Sequence, residues 1–156
     1  MIKIYTDGGC KPNPGYGGWA FIVVDGFKRF IQSGYVGEKT TNNRMEITAA
    51  IEALKAIIEN PVWKNKIDRE KIIVYTDSEY LINGSKKYDK WLLLSVNKTN
   101  VLTNRDLWVM FKAYQDIVNA EFVKVKGHSN DIYNIQCDKE VAVAIARKVN
   151  TVLRRV

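Results

Sequence analysis

The sequence predicts an α/β fold in which a mixed sheet is covered by helices. Three observations carry this. Two strand-like runs joined by a short turn stand near the start, strand and helix patterns alternate further on, and the β-branched run Ile72 to Thr76 reads as a buried strand. At 156 residues, 46% hydrophobic and 26% charged, the chain has the size and composition of one domain with a real core, so residues 1–156 are expected to form a single domain.

Ile2 to Thr6 alternates as an opening strand, and Gly8 to Gly18 is expected to be a loop because Pro12 and Pro14 oppose regular structure. Trp19 to Val24 and Phe27 to Tyr35 follow as strands around an Asp25-Gly26 hairpin turn. Thr41 to Glu59 has helical spacing and is stopped by Asn60-Pro61. Beyond Ile72 to Thr76, the stretch Lys86 to Thr103 is expected to be irregular and Asn104 to Val118 helical. Glu121 to Lys126 reads as a strand, and Asn134 to Leu153 as a closing helix.

Several function classes drop out. No apolar stretch approaches the ~20 residues of a membrane helix, and Met1 opens straight into strand-like alternation with no secretion signal. A free-standing cytoplasmic monomer with no membrane partner is therefore expected. Cys10 and Cys137 are too few for a disulfide framework or a thiolate zinc site. The net charge of +7 favours acidic partners, nucleic acid first. Gly15-Tyr16-Gly17-Gly18 follows a strand but leads into another strand, where a dinucleotide or P-loop site needs the start of a helix.

One phrase is written twice: I-Y-T-D from Ile4 and V-Y-T-D from Val74. Each aspartate, Asp7 and Asp77, is expected at the carboxyl end of a buried strand, the rim where α/β sheets gather ligands. A lone Asp there also serves as a turn former or helix cap. Two further acids add weight. Glu46 shares a helical side with Ala49, Ala50, Ala53, Leu54 and Ile57, and Asp138 with Val141, Ala142, Ile145, Val149 and Val152. Acids beside apolar stripes are costly unless paired, and Arg44 and Lys139 are the structural candidates for partners. If the four acids converge, their repulsion calls for divalent cations. Carboxylates with no Cys or His cluster suit Mg²⁺ or Mn²⁺ better than zinc. A basic chain with an acidic nest fits a polyanionic substrate whose phosphate bridges a pair of metals.

The chain resembles the type 1 ribonuclease H family, in phrases that run in order along most of its length: T-D-G-G-C-K-P-N-P-G-Y-G-G-W from Thr6, T-T-N-N-R-M-E from Thr40, Y-T-D-S from Tyr75, D-L-W from Asp106, V-K-G-H from Val125 and N-I-Q-C-D from Asn134. The resemblance implies a ribonuclease H-like fold with a five-stranded mixed sheet flanked by helices. It also implies a two-Mg²⁺ site and hydrolysis of the RNA strand of RNA–DNA hybrids that leaves a 3′ hydroxyl and a 5′ phosphate. By position, Asp7, Glu46, Asp77 and Asp138 match the four metal-binding carboxylates. His128, the only histidine, matches a residue beside the metals that assists proton transfer or product departure; a lone His is otherwise a surface or satisfied core residue.

For substrate contacts, the resemblance points to Asn13, Thr41 and Asn42 on the backbone of the hybrid and to Asn43 near the RNA. Short neutral donors suit phosphate oxygens and 2′-hydroxyls, although Thr41 or Asn42 also fits as a helix cap. Gly8, Gly9 and Cys10 fit close backbone approach to nucleic acid, or in the glycines a turn alone. Ser78 fits either the edge of the site or a cap.

The chain departs from the family pattern at three places. Glu79 stands where the family commonly has Gln, an extra acid beside the RNA path. The loop before Asp138 carries Ile132, Tyr133 and Ile135, with Gln136 where Arg is common. The segment from Lys86 keeps Lys86, Lys87, Lys90 and Trp91 of a basic-aromatic protrusion, but Leu92, Leu93 and Leu94 intrude and read as core. Hybrid binding is accordingly expected to lose affinity with salt less steeply than in a relative with a full basic protrusion, since the slope follows the phosphates neutralised. A salt titration giving equal slopes refutes this. Arg147, Lys148, Arg154 and Arg155 compensate for the altered protrusion or form a solvated face. Two other readings fit the same fold pattern: another nuclease of this fold, such as a resolvase or transposase core, or a hybrid-binding module without catalysis or the ribonuclease module of a reverse transcriptase.

Overall fold

The computed structural model describes residues 1–96, 102–125 and 131–156. Its elements are β1 (Ile2–Cys10), β2 (Gly15–Asp25), β3 (Lys28–Thr40), α1 (Asn42–Glu59), α2 (Pro61–Lys64), β4 (Ile72–Thr76), α3 (Glu79–Ser95), α4 (Arg105–Val118), β5 (Glu121–Lys124), α5 (Ile132–Arg147) and β6 (Arg154–Arg155). The sheet order is β5-β4-β1-β2-β3-β6. β1 runs parallel to β4, and β4 to β5, while β1, β2, β3 and β6 pair antiparallel. The mixed α/β architecture is as the sequence predicts.

The larger core lies under α1, where Ile2, Ile4, Phe21, Val23 and Val74 of the sheet meet Ala50, Ala53, Leu54 and Ile57. Four small alanines on the inner side of α1, Ala49, Ala50, Ala53 and Ala56, let the helix lie close to the strands. Trp108 of α4 is fully buried and ringed by Tyr80, Trp91 and Phe111 at centroid distances of 5.8, 5.7 and 5.2 Å. Gly84 makes this possible, because a Cβ there would stand 2.0 Å from the Trp108 ring. A smaller core of Tyr5, Ile22, Ile31 and Cys137 occupies the opposite face under α5.

Five expectations need correction. The Gly/Pro loop is confined to Lys11 to Pro14, since the pairs Gly8↔Trp19, Gly9↔Gly18 and Cys10↔Gly17 continue the β1–β2 ladder through the glycines. The stretch from Lys86 is helical to Ser95, because packing of Gly84 and Leu92 under α4 overrides the weak local pattern. Within it Leu92 is buried, but Leu93 and Leu94 are 72% and 44% exposed and so are not core. The closing helix ends at Arg147, where Lys148 turns left-handed at φ 56 and donates its N–H to the Ala144 carbonyl. Beyond it the Thr151 N–H bonds the Ser33 carbonyl, and Arg154 and Arg155 pair with Ile31 and Phe30, giving a sixth strand where five were expected.

Candidate functional site

The repeated phrase has a geometric meaning. Parallel pairing of β1 with β4 runs from Ile2↔Ile72 to Tyr5↔Tyr75 and stops there. Asp7 and Asp77 thus stand level, each two residues past the last pair. Asp7 differs from expectation in lying inside β1, opposite Ala20 of β2. It is nevertheless at the rim on the β4 side, where the shared ladder has ended.

Glu46 reaches the same place from α1. Thr41 caps this helix by accepting the Arg44 N–H at 3.2 Å, and Arg44 forms a forked pair with Asp106 at 3.0 and 2.8 Å that ties α1 to the start of α4. Arg44 is therefore not the partner of Glu46. One oxygen of Glu46 accepts the Gly8 N–H at 3.3 Å, while Oε2 is buried with no partner among the described residues. One carboxylate oxygen each from Asp7, Glu46 and Asp77 lie within 4.8 Å of one another. Asp7 and Glu46 are each 8% exposed, whereas Asp77 faces solvent.

Burial, then the Asp77 charge, pushes the Asp7 carboxyl from its ordinary 3.8 to about 7. Glu46 is raised well above its ordinary range by burial, then by Asp7 and Asp77. Such a cluster either takes up protons or holds cations. The residues fit a metal: the donors are all oxygen, they stand at bridging distance, and a buried carboxylate oxygen lacks a partner.

Asp138 stands outside the 4.8 Å group but close enough that its charge also raises Asp7. It is exposed, unlike the inward acid expected, because the buried stripe of α5 is Cys137, Val141 and Ala144. Val149 and Val152, assigned to its side, lie beyond the helix. Lys139 forms no ion pair with it among the described residues. Cys137 donates Sγ–H to the Tyr5 carbonyl at 3.4 Å, which pins this part of α5 over β1 and sets Asp138 beside the rim. His128 lies outside the described residues.

The other candidates divide. Thr41 and Ser78 are helix caps, Ser78 accepting the Leu81 N–H at 3.0 Å, so Asp77 does not cap α3. Asn42 Oδ1 accepts the Cys10 N–H at 2.7 Å, and Asn13 Oδ1 accepts the Asn42 N–H at 3.1 Å. These bonds fasten the proline loop to the start of α1. They leave the amide NH₂ groups of Asn13 and Asn42 without a partner among the described residues, and both side chains, like Asn43, are exposed. Gly8 and Gly9 are half-buried and Cys10 is buried. Lys86 and Lys87 are exposed on α3, whereas Trp91 packs edge-on against Trp108 and spends part of its ring on the core. Sequence reasoning missed Lys124, the last residue of β5, which pairs with Glu79. The alternation of β5 marks it as a strand residue but says nothing of what it meets.

The model of the RNase H family matches residues 1–146. The ribonuclease H of Caldanaerobacter subterraneus subsp. tengcongensis is 41% identical over 155 residues, covering 96% of this chain and 94% of that protein. That of Caldicellulosiruptor saccharolyticus is 38% identical over 156 residues, covering 95% and 97%. Among solved structures, LC11-RNase H1 in complex with an RNA/DNA hybrid superposes with a TM-score of 0.70 at 25% identity, over 95% of this chain and 99% of that one. LC9-RNase H1, described as a type 1 RNase H with the type 2 active-site motif, shares the fold with a TM-score of 0.80 at 22% identity, over 99% of this chain and 77% of that one.

Proposed function

Since this chain belongs to the RNase H family, we propose that Asp7, Glu46, Asp77 and Asp138 are the carboxylates with which it hydrolyses the RNA strand of RNA–DNA hybrids. The enzyme is an endoribonuclease of 156 residues, read as one domain and as a monomer of the cytoplasm. The convergence of three carboxylate oxygens within 4.8 Å at the β1–β4 rim carries the assignment of the site.

Asp7, Glu46, Asp77 and Asp138 would hold divalent cations, two Mg²⁺ with Mn²⁺ as a substitute, which would supply activation of water and charge stabilisation of the leaving oxygen. The chain does the rest. Glu46 is held by the Gly8 amide with its second oxygen turned inward, so it enters the site already oriented. Asp7 is fixed by the strand ladder, and Asp77 is exposed on the side from which substrate approaches. The exposed amides of Asn13, Asn42 and Asn43 offer neutral donors to backbone phosphates and 2′-hydroxyls, the group that separates RNA from DNA. In this reading His128 helps move a proton or release product, and cleavage leaves a 3′ hydroxyl and a 5′ phosphate.

The test is direct. Labelled hybrid, duplex DNA and duplex RNA are incubated with Mg²⁺, and only the RNA strand of the hybrid is expected to be cut. Asp77→Asn is expected to slow cleavage by about 10³-fold or more. Cleavage of duplex DNA points instead to a resolvase-like nuclease, and tight hybrid binding without cleavage to a binding module.

A further inference from the structure

The groove between α3 and the end of β5 joins Glu79 and Lys86 to Lys124, which has no role in the chemistry described so far. It is lined by Glu79, Tyr80, Ile82, Asn83, Lys86 and Lys124 and has a volume of about 440 Å³, within the ~300–1,000 Å³ of small-molecule sites. Its place follows from the topology. α3 begins two residues after Asp77, and Lys124 is in register with Thr76, the residue before Asp77. The groove therefore adjoins the carboxylate rim.

Its charges are arranged unevenly. The Lys124 ammonium pairs with the Glu79 carboxylate, and the two side chains are 41% and 80% exposed. A pair so open to water contributes little to folding, so its main effect is on the charge of the groove. Lys86 is exposed and in no ion pair among the described residues. Two lysines against one glutamate leave the groove with a single positive excess, matched to one phosphodiester. Nearby, Asp7, Glu46 and Asp77 have no basic partner among the described residues, so a polyanion brought to them needs cations on the flank.

We infer that this groove is a subsite for one backbone phosphate of the hybrid, held by Lys124 and Lys86 with the Asn83 amide as a neutral donor. The inference rests on the reading of the chain as a hybrid ribonuclease and deepens it. When the phosphate arrives, Lys124 exchanges one oxygen partner for another, Glu79 for the phosphate. Glu79 is thus more than an acid that repels the backbone. It occupies the lysine in the free protein and lowers the affinity of the subsite, so that hybrid is held less tightly and leaves more readily.

Binding of a fluorescent hybrid, read by anisotropy with chelator present so that nothing is cut, tests this between about 50 and 200 mM salt. Lys124→Ala is expected to weaken binding about 3- to 10-fold and to lower the slope of log affinity against log salt by about 1, the signature of one lost phosphate contact. Glu79→Gln is expected to tighten binding and steepen the slope. Lys71→Ala removes an ion pair with Glu121 at the far end of β5 and is expected to leave the slope alone. An unchanged slope in Lys124→Ala, even with weaker binding, overturns the subsite, as does weaker binding in Glu79→Gln. Cleavage by the unaltered protein in Mg²⁺ is measured alongside. If it cuts hybrid while the Lys124→Ala slope is unchanged, the subsite falls and the proposed function stands. If it does not cut, both fall.

Discussion

Asp7→Asn is expected to abolish hydrolysis while making the metal-free protein more stable near pH 8. The activity loss, about 10³-fold or more, follows from removing a buried oxygen donor that no other described residue replaces. The gain in stability follows from the same burial. Asp7 titrates at about 7 in the fold against 3.8 when unperturbed. Because the folded value is the higher one, the fold binds the proton more tightly than the unfolded chain does. That contribution is complete below about pH 4 and is lost as pH rises through about 7. Above that, the ionised carboxylate sits against Asp77 and the walls that bury it. Asparagine has the shape of the protonated acid and carries no charge at any pH. The difference at pH 8 is on the order of 3 kcal/mol, shared with Glu46 because the two acids act on one another. Urea denaturation in chelator at about pH 5.5 and 8 measures it. Mg²⁺ should raise the stability of the unaltered protein at the higher pH and have little effect on the variant. A pH dependence equal in the two proteins refutes the account.

Gly8→Ala is the second large effect, and it works through the backbone. A Cβ at Gly8 would stand 2.2 Å from the Met45 carbonyl oxygen, 2.3 Å from its carbon and 2.6 Å from the Glu46 nitrogen. All three are main-chain atoms, so no rotamer relieves the overlap. α1 must withdraw from β1, yet it is tied by the Arg44–Asp106 fork and by Asn42 on the Cys10 amide. The expected cost is about 3 kcal/mol of stability. Activity is expected to fall about 10²-fold or more, since the helix that moves carries Glu46 and displacements near 1 Å have effects of that size. Gly9→Ala is the comparison, because its Cβ would meet nothing closer than 3.6 Å, and its stability should change by less than about 1 kcal/mol. Equal losses in the two variants would show that the close approach is not what matters.

Why these acids were legible while their neighbours were not has a physical answer. Asp7 and Asp77 end short apolar runs of period two, and Glu46 sits in a helix whose alanines repeat at helical spacing, so local pattern alone places them near a rim and a core. Asp138 is one residue from a buried Cys137, and a periodicity count cannot separate the edge of a stripe from its centre. The helix from Lys86 to Ser95 depends on Trp108 filling the space over Gly84, a contact across the fold that no window of sequence contains. The Arg44–Asp106 fork joins residues 62 apart. Nothing near either residue announces the other.

β6 has a further bearing on how molecules meet in a crowded solution. The outer side of β3 offers unpaired amide and carbonyl groups, a template on which a strand of another copy can add. Arg154 and Arg155 occupy the rungs at Ile31 and Phe30, and the Thr151 N–H bonds the Ser33 carbonyl at 2.9 Å just beyond them. A second molecule approaching that border finds its rungs taken and two exposed guanidinium groups facing its own positive surface. The strand that the sequence did not announce thus works against fibre-like stacking, a hazard that grows with concentration.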